Sequence, residues 1–168
     1  MTTVREGKEV KPRENQERKN NLRYTEKEIH LTVNMIKQLE DALDLMFYLM
    51  ERSSENTFVL MLITAENADM KSILEKEKRN TDIVYEINKE EHVYAMICQE
   101  TKVEGGYRFV ERIIENIRAE KGEDIYCSEI EVRTTKFSAK DIIFRVVDGF
   151  VKARQEERSG EIVFKSVY

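Results

Sequence analysis

Arg79 and Asp82 place a guanidinium and a carboxylate three positions apart, just before the apolar run of residues 83–87. A guanidinium presents a planar fork of donors suited to a phosphate or a base edge, and a carboxylate accepts from N–H groups. The pair therefore has the chemistry of anion and nucleobase recognition, with a solvated arginine beside a turn-forming aspartate as the plain alternative. The same spacing recurs at Arg145 and Asp148, inside a stretch of helical periodicity. The next polar segment, Asn88-Lys89-Glu90-Glu91-His92, brings two adjacent carboxylates to a turn. Two such groups could contribute to a magnesium site, but a solvated turn accounts for them without one. His30 and His92 are too few and too isolated for a metal centre. Cys98 and Cys127 fall in apolar stretches without metal-ligand spacing, as reduced core thiols do. No catalytic residue, metal ligand or cofactor is expected.

These side chains need a frame to hold them. Residues 57–64 form an apolar run after the polar break Ser53-Ser54-Glu55-Asn56, which suits a buried strand. A short helix over about 68–78 is expected next, then strand 83–87, a turn at 88–91 and strand 92–98. Apolar positions at Phe109, Val110, Ile113, Ile114 and Ile117 predict a second helix over 104–121. Strand 125–133, a third helix from Ser138 to about Arg154 and strand 162–167 complete the pattern. Strand, helix, hairpin, helix, strand is an α+β, ferredoxin-like order built on a central antiparallel sheet. Ahead of it, Thr25 is an N-cap candidate with Glu28 three residues later, and Ile29, Val33, Ile36, Leu39, Leu43, Met46 and Met50 recur at helical spacing. A long amphipathic helix to about residue 51 follows. Phe47, Tyr48 and Leu49 widen its apolar face, which could pack on its own sheet, a second copy or a larger assembly.

The 168 residues suffice for one domain, and 40% apolar content can fill a single core. The expected organisation is a flexible tail over 1–24, the amphipathic helix over 25–52 and the α+β domain over 53–168. The tail holds seven basic and four acidic side chains, few apolar ones, and the chain's single proline, Pro12. With 28 basic against 33 acidic residues the net charge is −5, which disfavours a nucleic-acid partner. No apolar run approaches the roughly 20 residues that span a bilayer, and Met1-Thr2-Thr3-Val4-Arg5 begins no signal-peptide core, so a cytoplasmic protein without direct membrane insertion is expected.

Arg79 to Asp82, five intervening residues and the turn segment Asn88 to His92 together resemble the GGDEF family of bacterial cyclic-di-GMP synthases. In that family an RxxD tetrapeptide stands five residues before the signature turn. The signature here reads NKEEH, so both glycines that let backbone pass close to substrate phosphates are replaced, by Asn88 and Lys89. Val110-Glu111-Arg112-Ile113 resembles the family's next helix, and Asp141-Ile142-Ile143, Ala153-Arg154, Arg158 and Ile162-Val163-Phe164 its closing pattern, so the likeness covers about residues 57–166. Thr64 stands where an active member carries a magnesium-holding aspartate. Only fifteen positions separate Thr64 from Arg79, roughly half the family's usual distance, so the guanine-reading segment is expected to be missing.

The resemblance implies a nucleotidyl-cyclase palm without catalytic activity, in which the RxxD is a retained product-inhibition site. It implies cyclic-di-GMP as ligand, bound by Arg79, Asp82 and Arg112, with Arg108 a rival for the last position. The guanidinium would grip a guanine Hoogsteen edge or a phosphate, and Asp82 would accept from guanine N1 and its amine. Output would then pass to an unknown bacterial protein partner, or to a second copy through the amino-terminal helix, with recruitment to a membrane-associated complex left open. The alternative is a nucleotide-independent assembly module of a bacterial motility, secretion or polarity complex.

Overall fold

The computed structural model describes residues 24–52, 57–121 and 124–167. The expected tail over 1–24 falls, apart from Tyr24, outside the described residues, as does the polar break at 53–56. The elements are α1 (Glu26–Arg52), β1 (Phe58–Ala65), α2 (Met70–Glu77), β2 (Ile83–Asn88), β3 (Val93–Gln99), α3 (Val103–Lys121), β4 (Ile125–Val132), α4 (Ala139–Gln155) and β5 (Ile162–Val167). Each lies within a few residues of its expected position, because apolar periodicity and turn residues bracket every one of them.

The five strands form one sheet in the order β2-β3-β1-β4-β5. β1 runs antiparallel to both neighbours, setting Leu60 against Ile97 on one side and Ile130 on the other. β2 is antiparallel to β3 across the hairpin. The expected central antiparallel sheet is completed at its edge by a parallel strand, β5 beside β4, with Cys127 opposite Ile162. α4 supplies the crossover that a parallel neighbour requires. Its start is set by Ser138, whose side chain caps the Asp141 amide while Asp141 bonds back to the Ser138 backbone.

All eight residues of β1 are buried, so the strand divides two cores. Phe58, Leu60 and Leu62 face α1 and α4, whereas Val59, Met61 and Ile63 face α2 and α3. α1 therefore packs on its own domain. Leu31, Met35, Leu39, Leu43, Met46, Phe47 and Met50 form its buried stripe, and the Phe47 and Phe58 rings meet at 5.9 Å. The stripe differs from the expected one at its start: Ile29 and Val33 are exposed, and Leu31 and Met35, two residues on, take the core positions. Both sets fit a helical period, and only the sheet's position selects between them.

Of the three buried polar side chains on β4, two lack hydrogen-bond partners among the described residues. Glu129 is completely buried, and neither of its carboxylate oxygens finds a partner among the described residues. Burial pushes its pKa up to about 8. Ser128, on the opposite face, is also buried without a partner, and a Cβ on Gly149 of α4 would lie 2.5 Å from its Oγ. Gly149 is thus the close-approach point of α4 on the sheet.

Two outcomes follow. Gly149→Ala is expected to destabilise the fold by about 1–3 kcal/mol through overpacking, and Ser128→Ala in the same chain should recover most of the loss in thermal melts. Glu129 has a folded-state pKa above its ordinary 4.5, so its contribution to stability is complete below about pH 4.5 and is lost as pH rises through about 8. Glu129→Gln should therefore melt well above the parent at pH 8, with the gap closing as pH falls toward 4.5.

Candidate functional site

α2 opens on Asp69, whose carboxylate accepts from the Ser72 amide at 3.2 Å and its hydroxyl at 2.9 Å. It closes at Lys78, whose backbone is extended, and the chain turns into β2 through Arg79–Asp82, with the Asp82 amide donating to the Arg79 carbonyl at 3.1 Å. Within this turn the Asp82 carboxylate folds back on Arg79. It accepts from the Arg79 amide at 2.9 Å, from Nη2 at 2.9 Å and from Nε at 3.3 Å. Nη2 also donates to the Gln99 carbonyl at 2.7 Å and to Thr101 Oγ1 at 2.6 Å. Thr101 is itself tied to the start of β1, its amide donating to the Thr57 carbonyl at 3.2 Å. The Arg79 guanidinium thus clamps the β2 entry to the β3 exit. Its side chain is 53% exposed, whereas that of Asp82 is 2% exposed.

Beside this clamp opens a cleft of about 270 Å³ lined by Arg79, Asp82, Cys98, Thr101, Gly105, Gly106, Arg108, Phe109 and Arg112. All three residues singled out from the sequence line it, and so does the rival Arg108. Arg108 and Arg112 are four apart on α3 and share a helix face. Arg112 lies over the Phe109 ring at 5.6 Å. The Cys98 thiol forms part of the wall, and burial raises its pKa strongly. Sequence reasoning missed Thr101, Gly105 and Gly106 as lining groups. Gly106 is present because α3 approaches the sheet closely there: a Cβ would stand 3.2 Å from both Val59 and the Glu129 carboxylate. The Asp82 carboxylate points into the turn and onto Arg79, the arrangement of a turn-forming aspartate.

The second RxxD serves the fold. Asp148 accepts from the Tyr24 hydroxyl at 3.0 Å and from Lys165 at 2.9 Å, and Arg145 covers the Phe137 ring at 4.5 Å.

The hairpin turn lines another cleft, of about 410 Å³, together with Lys27, Thr64, Glu66, Asp124, Tyr126 and Arg154. Here Thr64 Oγ1 donates to the Glu91 carbonyl at 2.9 Å, and Lys27 of α1 pairs with the Glu91 carboxylate at 2.7 Å. Asn88 Oδ1 accepts from the Glu91 amide at 3.1 Å, and His92 closes the turn with φ 54°. This donor set does not fit a magnesium ion. The end of β1 offers a neutral hydroxyl, a poor replacement for a carboxylate ligand, and Lys27 pairs with the Glu91 carboxylate. Among the described residues no group of three or more His, Cys, Asp or Glu side chains could hold a metal, and no helix is long and apolar enough to cross a membrane.

The two kinds of arginine are separable by stability. Arg79→Ala leaves the buried Asp82 carboxylate with the backbone amide but without its guanidinium and should lower stability by about 1–3 kcal/mol, whereas Arg112→Ala, on an exposed helix face, should stay within about 0.5 kcal/mol of the parent. Denaturant melts of the two variants check this.

No family profile matches the chain, and no curated protein matches its sequence. Solved structures do resemble it. The GGDEF domain of DgcB from Caulobacter crescentus, in complex with c-di-GMP, matches with a TM-score of 0.62 over 76% of this chain and 86% of that one, at 13% identity. The active GGEEF domain of a diguanylate cyclase from Vibrio cholerae matches with a TM-score of 0.61 over 76% and 94%, again at 13% identity. A microbial GGDEF domain studied for its interaction with cyclic di-GMP matches with a TM-score of 0.54 over 75% and 92%, at 8% identity. The five-stranded sheet with its flanking helices is thus a GGDEF-like cyclase palm of the α+β class.

Proposed function

We propose that this chain is a catalytically inactive GGDEF-like domain that binds cyclic-di-GMP in the Arg79–Arg112 cleft and signals through contact with another protein. The observation that carries the reading is the convergence of Arg79, Arg108 and Arg112, from the β2 entry and from α3, on one cleft. Three guanidinium groups around a concave wall offer charge-assisted bonds to a ligand with two phosphodiesters. Two of the structures that share the fold concern c-di-GMP recognition, which supports the choice of ligand.

Absence of turnover is supported by the other cleft. A GTP site there needs a metal and open backbone at the turn. This chain has Thr64 bonded to the Glu91 carbonyl, Lys27 laid against the Glu91 carboxylate, and side chains at Asn88 and Lys89. Output falls to the surface of α1. Leu45, Tyr48 and Leu49 are 57%, 49% and 42% exposed in its last turns, on the side away from the core stripe. The same surface favours a second reading, a nucleotide-independent assembly module whose RxxD is only a clamp.

Calorimetric titration with cyclic-di-GMP separates the two. Saturable binding that Arg112→Ala weakens by about tenfold or more, equivalent to ~1.4 kcal/mol, with no product from GTP and magnesium, is the expected result. A folded protein that takes up no ligand would leave the assembly reading in place, and formation of cyclic-di-GMP from GTP would overturn the inactive assignment.

A further inference from the structure

We infer that the last turns of α1 form an interface between two copies of this chain, with the two helices antiparallel about a two-fold axis that passes between Leu45 and Tyr48. This rests on the reading that output falls to the surface of α1, and it names a second copy as the protein met there. Leu45, Tyr48 and Leu49 lie within about one turn of each other, on the side of the helix away from the core stripe. Lys37, Asp41, Asp44, Glu51 and Arg52 are exposed around them. A small apolar centre with a charged rim is the anatomy of a protein contact.

Two of the rim charges select both the partner and its direction. Asp41 stands four residues before Leu45, and Arg52 four residues after Tyr48, so the four side chains share one helix face. In a two-fold contact each residue meets the one that stands equally far from the axis on the other copy. Leu45 then packs on Tyr48 and Leu49 of the second copy, and Asp41 meets its Arg52, once at each end of the contact. Neither charge is engaged elsewhere. Asp41 and Arg52 make no ion pair among the described residues, and the Arg52 guanidinium lies over the Tyr48 ring at 4.7 Å, which holds it at the edge of the apolar centre. Parallel helices would set Asp41 against Asp41 and Arg52 against Arg52, so repulsion between like charges disfavours that arrangement. An unrelated partner gives no reason for opposite charges at equal distances from the centre of the patch, whereas a second copy pairs both.

Sedimentation velocity of the full chain over a range of concentrations, without nucleotide, is the test. Circular dichroism and thermal melts first check that the variants, all at exposed positions, are folded. Reversible dimerisation of the parent is expected. Arg52→Asp should weaken it by about tenfold or more, because each Asp41 then faces a second aspartate, and Leu45→Asp should weaken it as strongly. The exchange of Asp41→Arg together with Arg52→Asp should bring the affinity back to within about threefold of the parent, the coupling that a direct pair requires. A parent that stays monomeric throughout would overturn the inference. So would a dimer that Arg52→Asp leaves unchanged, or one that the exchange fails to restore. None of these results touches the ligand reading, which the calorimetric titration decides separately.

Discussion

β1 is buried along its whole length and on both faces, and the other elements answer to that constraint. A strand with apolar side chains above and below needs a paired neighbour on each edge and helices over each face. β3 and β4 supply the edges, α2 and α3 one cover, α1 and α4 the other. The amino-terminal helix is therefore part of the fold. Without it Phe58, Leu60, Val93, Ala95 and Ile97 would lose the partners that Leu39, Leu43 and Phe47 provide.

Because β1 fixes the register of its neighbours, it also fixes where polar side chains arrive. Thr57 precedes β1 and Thr101 follows β3, and the antiparallel pairing of Phe58 with Gln99 brings the two together. Arg79 reaches the same place from the end of α2, so its guanidinium joins the turn before β2 to the β3 exit, whose Thr101 amide in turn holds the residue before β1. At the opposite end of β1, Thr64 meets the hairpin turn and Lys27 arrives from α1. The two ends of one strand thus carry two clefts of different chemistry. One is rimmed by three guanidinium groups beside a single buried carboxylate. The other mixes four acidic side chains with Lys27, Arg154 and His92.

Burial on β4 runs against composition. Glu129 occupies a core position beneath Gly106 on the same face as Cys127, where an aliphatic residue would satisfy the packing equally well. Holding a carboxyl there costs the fold stability at neutral pH. Nothing in the alternation Ile125-Tyr126-Cys127-Ser128-Glu129-Ile130-Glu131-Val132 marks both glutamates as buried. An alternating strand reads as one apolar face and one wet face, and it is α3, arriving from elsewhere in the chain, that makes the second face dry.

The order and type of every described element, and the three residues that meet at the arginine cleft, were legible in the sequence, because hydrophobic period, turn residues and motif spacing are local properties. Three features were not. The parallel placing of β5 depends on where the α4 crossover lands. The α1 stripe, on Leu31 and Met35 in place of Ile29 and Val33, depends on where the sheet stands. The inward turn of Asp82 depends on the β3 exit, whose Gln99 carbonyl and Thr101 hydroxyl hold Arg79 in reach of that carboxylate. A sequence specifies which groups a segment carries. Which partners and which solvent those groups meet is decided by segments remote in the chain, and only the tertiary structure brings them into contact.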